Sequence, residues 1–217
     1  MIGILVSGIL SLLGFVALLV FGIVIDRMIS NRVSRDKARL SAPLWGDSGE
    51  CSRANREGAL SMLRDAKGRF EVGVDSAREQ LKGTRAESGI HLLNTISRLL
   101  EPLHYGPGIE GAICLYLGAE GRILDVQSWV GDAISVPMPP DQIAERAVDL
   151  RAEGVVLGHN HPNERPVPSD QDVWHAAGLE AILVRNGIRL AEDYVWCHNQ
   201  YKSVLNTRRF KALVRPV

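Results

Sequence analysis

The sequence predicts an α/β domain, a sheet with flanking helices, preceded by a short helical region and one amino-terminal membrane span. Three observations predict it. From Tyr105 onward, short apolar runs of strand length alternate with helical patterns. Between Cys51 and Leu103, apolar residues recur at helical spacing instead. At the start, Ile2 to Ile25 carries no charge at all.

That first segment is rich in Ile, Leu, Val and Phe and long enough to cross about 30 Å of hydrocarbon. A cleaved signal peptide would have basic residues before a shorter core and a small-residue cleavage site after it. Here nothing basic precedes the core and Asp26-Arg27 follows directly, so a retained anchor is expected over residues 1–25. Arg27, Arg32, Arg35, Lys37 and Arg39 crowd the distal flank, which places the carboxy-terminal side in the cytoplasm. Residues 26–50 turn basic, then Gly- and Ser-containing, and read as a juxtamembrane linker.

Residues 51–103 predict two or three short helices, a helical spacer or subdomain interrupted at Gly68, Gly73 and Gly83. Then Ala112–Leu117 predicts a strand, Gly118–Gly121 a turn and Arg122–Val130 a second strand. Pro139-Pro140-Asp141 opens a helix whose buried face is Ile143, Ala144, Ala147, Val148 and Leu150. Val155–Gly158 is a buried strand that delivers His159. Ser169 starts the next helix, which ends near Asn186-Gly187. Ile188–Trp196 and Tyr201–Leu205 read as a closing hairpin around His198-Asn199-Gln200.

Composition excludes several classes. Equal numbers of basic and acidic residues, 25 each, leave no global field for nucleic acid. Three cysteines without Cys-x-x-Cys spacing fit neither a disulfide framework nor a cysteine-rich zinc site, and they read as small buried apolar residues. No phosphate-binding glycine loop is present.

The chemistry lies in residues 158–172, Gly-His-Asn-His-Pro-Asn-Glu-Arg-Pro-Val-Pro-Ser-Asp-Gln-Asp. His159 and His161, two apart at a strand end, project to one face. Asp172, in the first turn of the following helix, completes an N,N,O ligand set for one zinc ion. Three protein ligands leave a position open for water, as catalytic sites do. Ser169, one turn before Asp172, is both a helix cap and a candidate donor to a developing oxyanion. A general base is also needed. Glu110, Glu120, Glu153 and Glu164 are the candidates, with Glu110 immediately before the first strand. His175 reads as a surface or packed histidine rather than a support for the ligands, and His91, His104 and His198 lack ligand-like spacing.

His159-Asn160-His161-Pro162 through Pro168-Ser169-Asp170-Gln171-Asp172 resembles the JAMM/MPN+ metalloprotease motif in its RadC-like bacterial form. The resemblance covers Tyr105 to Leu205, a single MPN (JAB) domain placed within residues 104–217. It implies an MPN/JAB-type mixed sheet, a Zn2+ ion on His159, His161 and Asp172, Glu110 as general acid/base and Ser169 as oxyanion stabiliser. The implied activity is hydrolysis of peptide or isopeptide bonds in a peptide or protein substrate, at the cytoplasmic side of a bacterial inner membrane. A metal-binding scaffold without proteolysis and a DNA-associated protein are the alternatives; the missing basic stripe counts against the latter. Two departures bear on specificity. Asn163-Glu164 replaces the usual Ser-Gly, which makes Asn163, Glu164 and Arg165 candidates for the substrate groove. Tyr194 stands where the family has histidine after Asp193. Oligomeric state and substrate identity have no signal.

Overall fold

A computed structural model describes residues 53–86, 88–104, 108–132, 135–162, 165–198 and 200–214. The expected membrane span and linker lie outside the described residues. Among the described residues no helix is long and apolar enough to cross a membrane.

Two helices come first, α1 (Arg53–Leu81) and α2 (Gly89–His104). Then follow β1 (Gly111–Leu117), β2 (Ile123–Val130), α3 (Pro140–Asp149), β3 (Gly154–Asn160), α4 (Asp170–Arg185), β4 (Arg189–Cys197), β5 (Gln200–Ser203) and α5 (Arg208–Val214). The strands form one sheet in the order β2-β1-β3-β4-β5. β3 and β4 run parallel, joined through α4, and all other neighbours are antiparallel. This is the mixed sheet with flanking helices that the sequence predicts.

The core has two faces, set by the alternation of side chains along the strands. Cys114 and Tyr116 of β1 and Val155 and Leu157 of β3 pack with Ile143 and Ala147 of α3 and Val173, Leu179 and Leu183 of α4. Ile113 and Leu115 of β1 and Val156 of β3 pack instead with Phe70 and Val74 of α1 and Ile96, Leu100 and Leu103 of α2. β1 and β3 are thus buried throughout, which is why their sequences are continuously apolar rather than alternating.

α1 corrects one expectation. It runs unbroken for 29 residues through Gly68 and Gly73. An isolated glycine costs a helix about 1 kcal/mol, and burial of Ala66, Phe70 and Val74, spaced four apart, outweighs it. The real break is Gly83, whose φ of +82° is open to glycine at no steric cost. The segment expected as a spacer or subdomain supplies one whole layer of the core. Asp125 on edge strand β2 ties the layers together. It accepts from Arg146 Nη2 of α3 at 2.6 Å and lies 3.4 Å from Arg78 Nε of α1.

α2 sits tightly on the strand that carries the first histidine. A Cβ on Gly158 would lie 2.5 Å from Ile96 Cγ2. Two further differences are local. β5 runs Gln200–Ser203 rather than Tyr201–Leu205, and α5 was not anticipated. α5 is short and is held by burial of Phe210 and by the Arg209–Asp170 ion pair.

Candidate metal centre

His159 occupies the next-to-last position of β3, a central strand, and is 1% exposed. His161 follows the strand end, and its backbone N–H donates to Trp196 O of β4 at 2.8 Å. Asp172 is the third residue of α4. The parallel β3-α4-β4 unit therefore brings a strand end and a helix start together. The three side chains meet: the His159 and His161 Nε2 atoms are 3.2 Å apart, His159 Nε2 is 3.3 Å from Asp172 Oδ1, and His161 Nε2 is 3.6 Å from Asp172 Oδ2.

These separations suit one small cation. Tetrahedral bonds of about 2.0–2.1 Å from zinc to nitrogen or oxygen put the donors roughly 3.3 Å apart. The observed values bracket that distance.

Asp172 is fixed by the helix start. The Ser169 N–H donates to Asp172 Oδ2 at 2.7 Å and the Asp172 N–H donates to Ser169 Oγ at 3.2 Å, a reciprocal capping box. Ser169 is exposed, and its hydroxyl proton is left to donate elsewhere. Burial opposes ionisation of Asp172, but His159 and the Ser169 N–H outweigh it and hold the carboxyl well below its usual range. Burial likewise opposes charge on His159, and the Asp172 carboxylate outweighs it, holding that imidazole above its ordinary value.

Glu110 precedes β1 and is 9% exposed. Ala112 faces His159 across the β1–β3 ladder, which sets Glu110 abreast of His161. Its backbone continues the β1–β2 pairing, donating to Asp132 O at 2.7 Å and accepting from Gly131 N at 2.8 Å. Its charge acts on His159.

Asn160, between the two histidines, is fully buried. Its Oδ1 accepts from Gly111 N at 2.7 Å, and its Nδ2 donates to Ile109 O at 3.0 Å. One amide thus holds the backbone on both sides of Glu110.

Comparison with known proteins now adds the lineage. A family model described as the RadC-like JAB domain matches residues 90–209. The chain belongs to the RadC-like JAB domain family. It is 32% identical to an Aquifex aeolicus UPF0758 protein over 95 residues, 43% of this chain and 41% of that one. An Enterococcus faecalis UPF0758 protein is 28% identical over 116 residues, 53% of this chain and 50% of the relative. A Stenotrophomonas maltophilia UPF0758 protein is 28% identical over 173 residues, 78% of this chain and 65% of the relative. The chain spans about two-fifths of the length of the first of these and half of the second. The name they share states no activity.

Within this RadC-like domain, the sequence-predicted residues divide plainly. His159, His161 and Asp172 converge, Ser169 is bound to Asp172, and Glu110 lies beside them in register. Arg165 is exposed, while Asn163 and Glu164 lie outside the described residues. Of the two readings of His175, surface or packed, the packed one holds: its Nε2 is 2.6 Å from Met138 O, and burial lowers its pKa.

Two residues were missed. Asn160 acts through both its amide atoms, and its position between the histidines was the available signal. Asp193 of β4 is 1% exposed, and burial pushes its carboxyl up to about 7, with His159 pulling the other way. Asp193 Oδ1 and His159 Nδ1 are both buried without a hydrogen-bond partner among the described residues. Metal-ligating histidines generally have their second nitrogen supported by a carboxylate, carbonyl or water. No local spacing in the sequence marks Asp193 for that role.

Proposed function

We propose that this chain is a zinc-dependent hydrolase of peptide or isopeptide bonds. The observation that carries the reading is the convergence of two imidazoles and one carboxylate at separations suited to a tetrahedral ion. His159, His161 and Asp172 would hold the zinc. When bound, zinc supplies Lewis acidity, bringing the pKa of a water toward neutrality and polarising a carbonyl.

The remaining work falls to the chain. Glu110 accepts the proton of the attacking water and returns it to the leaving amine. Asn160 keeps Glu110 at its station by bonding the backbone on either side. The Ser169 hydroxyl donates to the oxyanion as it develops, while its Oγ and backbone N–H keep Asp172 in place. Burial of both histidines excludes bulk water from the ligand side and strengthens these interactions. Residues 2–25 would anchor the enzyme in a bacterial inner membrane, with the site facing a cytoplasmic protein or peptide, as the basic flank suggests.

The test begins with the purified full-length chain. It is expected to hold zinc, to lose the ion of this centre in His159→Ala, and to cleave members of a peptide library. Glu110→Gln is expected to keep the zinc and slow cleavage by about 10²–10⁴-fold. A chain whose zinc content is indifferent to His159→Ala defeats the reading. Cleavage unaffected by Glu110→Gln removes Glu110 from its role.

A further inference from the structure

A second group of metal-competent side chains lies at the end of α2. His104, the last residue of α2, meets Cys197, the last residue of β4, and His198 in the turn that follows. One donor atom from each lies within 4.8 Å of the others. His104 Nε2 is 3.0 Å from His198 Nδ1, close to the roughly 3.3 Å that tetrahedral zinc asks of two imidazole nitrogens. We propose that His104, Cys197 and His198 form a second zinc site, distinct in ligand chemistry from the His159, His161 and Asp172 centre.

Two features beside this geometry support a cation there. The carbonyl end of a helix favours positive charge, and His104 stands at that end of α2. The thiolate and two imidazoles make a donor set of borderline softness that suits zinc. Ion binding would replace the hydrogen bond that His104 Nε2 accepts from the His198 backbone N–H at 3.1 Å.

Such an ion would tie together segments far apart in the chain. His104 and His198 are 94 residues apart. It would clip α2 to the end of β4, next to Trp196, whose ring lies tilted against His104 at a 4.7 Å centroid distance and whose carbonyl holds His161. Sequence spacing concealed this, because only Cys197 and His198 are neighbours. His198 is exposed, which leaves a side from which solvent can complete the coordination shell.

Cobalt substitution separates the two centres. A thiolate bound to Co2+ gives a near-ultraviolet charge-transfer band, and the His159, His161 and Asp172 centre holds no sulfur. The full-length chain is expected to bind two zinc ions and, with cobalt, to show that band. Cys197→Ser and His198→Ala are expected to abolish the band and leave one zinc. His159→Ala is expected to leave one zinc and keep the band, while Cys51→Ser and Cys114→Ser keep both. The proposal falls if the folded wild type shows no thiolate band, or if the band survives Cys197→Ser. A wild type that holds one zinc, lost entirely in His159→Ala, overturns it too. The wild-type spectrum decides even where a variant fails to fold, and none of these outcomes depends on hydrolysis.

Discussion

Asn160 separates the two candidate ligand histidines and spends its amide on the backbone of the next strand. Replacing it with alanine leaves the Gly111 N–H and the Ile109 carbonyl buried without their partner. Each unmet buried group costs about 1–3 kcal/mol. More is at stake than stability, since Glu110 lies between the two anchored positions. Asn160→Ala is therefore expected to lower kcat on a cleaved peptide by about 10–100-fold with zinc content intact, on the scale of lost outer-shell support. Aspartate, which keeps the acceptor to Gly111 N, is expected to recover part of it. An unchanged kcat in a folded, zinc-loaded Asn160→Ala protein would end the positioning role.

The charges on His159 and Asp172 give a second residue-scale prediction. Zinc needs the neutral imidazole, and Asp172 holds the His159 pKa above 6.5 in the metal-free protein. The sign follows: a proton competes with zinc for His159 already above pH 6.5, so affinity falls on acidification from a pH higher than an ordinary histidine would dictate. Each displaced proton contributes about tenfold per pH unit. Chelator competition across neutral pH measures it. Affinity that stays flat down to pH 6.5 contradicts the His159–Asp172 coupling.

Among the elements, those that carry the site were the most legible. The strand before His159, the proline-led helix α3 and the Ser169 cap each show a local signal: a short apolar run, a first-turn proline, a capping box. α1 was not legible as one helix, because Gly68 and Gly73 weaken the local preference and only packing on the sheet restores it. α5 was missed for a similar reason; seven residues have little helical stability without the burial of Phe210. Asp193 and the His104–His198 pair were invisible because their meaning comes from strand register and helix placement across long stretches of chain. The fit of α2 on β3 makes an element-scale prediction. Gly158→Ala places a methyl against Ile96, and overpacking of this kind costs about 1–3 kcal/mol. Thermal unfolding should fall by several degrees with the zinc centre still formed, because His159 keeps its place in the ladder. A variant as stable as the parent would mean that α2 yields at this contact.

For the whole molecule, the RadC-like resemblance suggested a domain beginning near residue 104, and the packing places the physical boundary earlier. Residues 54–217 form one compact unit. Removing α1 and α2 would strip the sheet face formed by Ile113, Leu115, Ile123, Val126, Val156 and Trp196. It would also remove Phe70, Val74, Ile96, Leu100 and Leu103, each at or below 1% exposure. At about 1.5–3 kcal/mol for each large apolar side chain, four of them already match the total stability of an ordinary domain, about 5–15 kcal/mol. A fragment of residues 104–217 is therefore expected to aggregate or to lack a cooperative unfolding transition, whereas residues 54–217 fold. The shorter fragment would also lose the Arg78 partner of Asp125, leaving that carboxylate paired with Arg146 of α3 alone. Circular dichroism melts of the two fragments decide the matter. Equal midpoints would mean that the helical layer covers the sheet without holding it together, and that the site can be built on the sheet and α4 unaided.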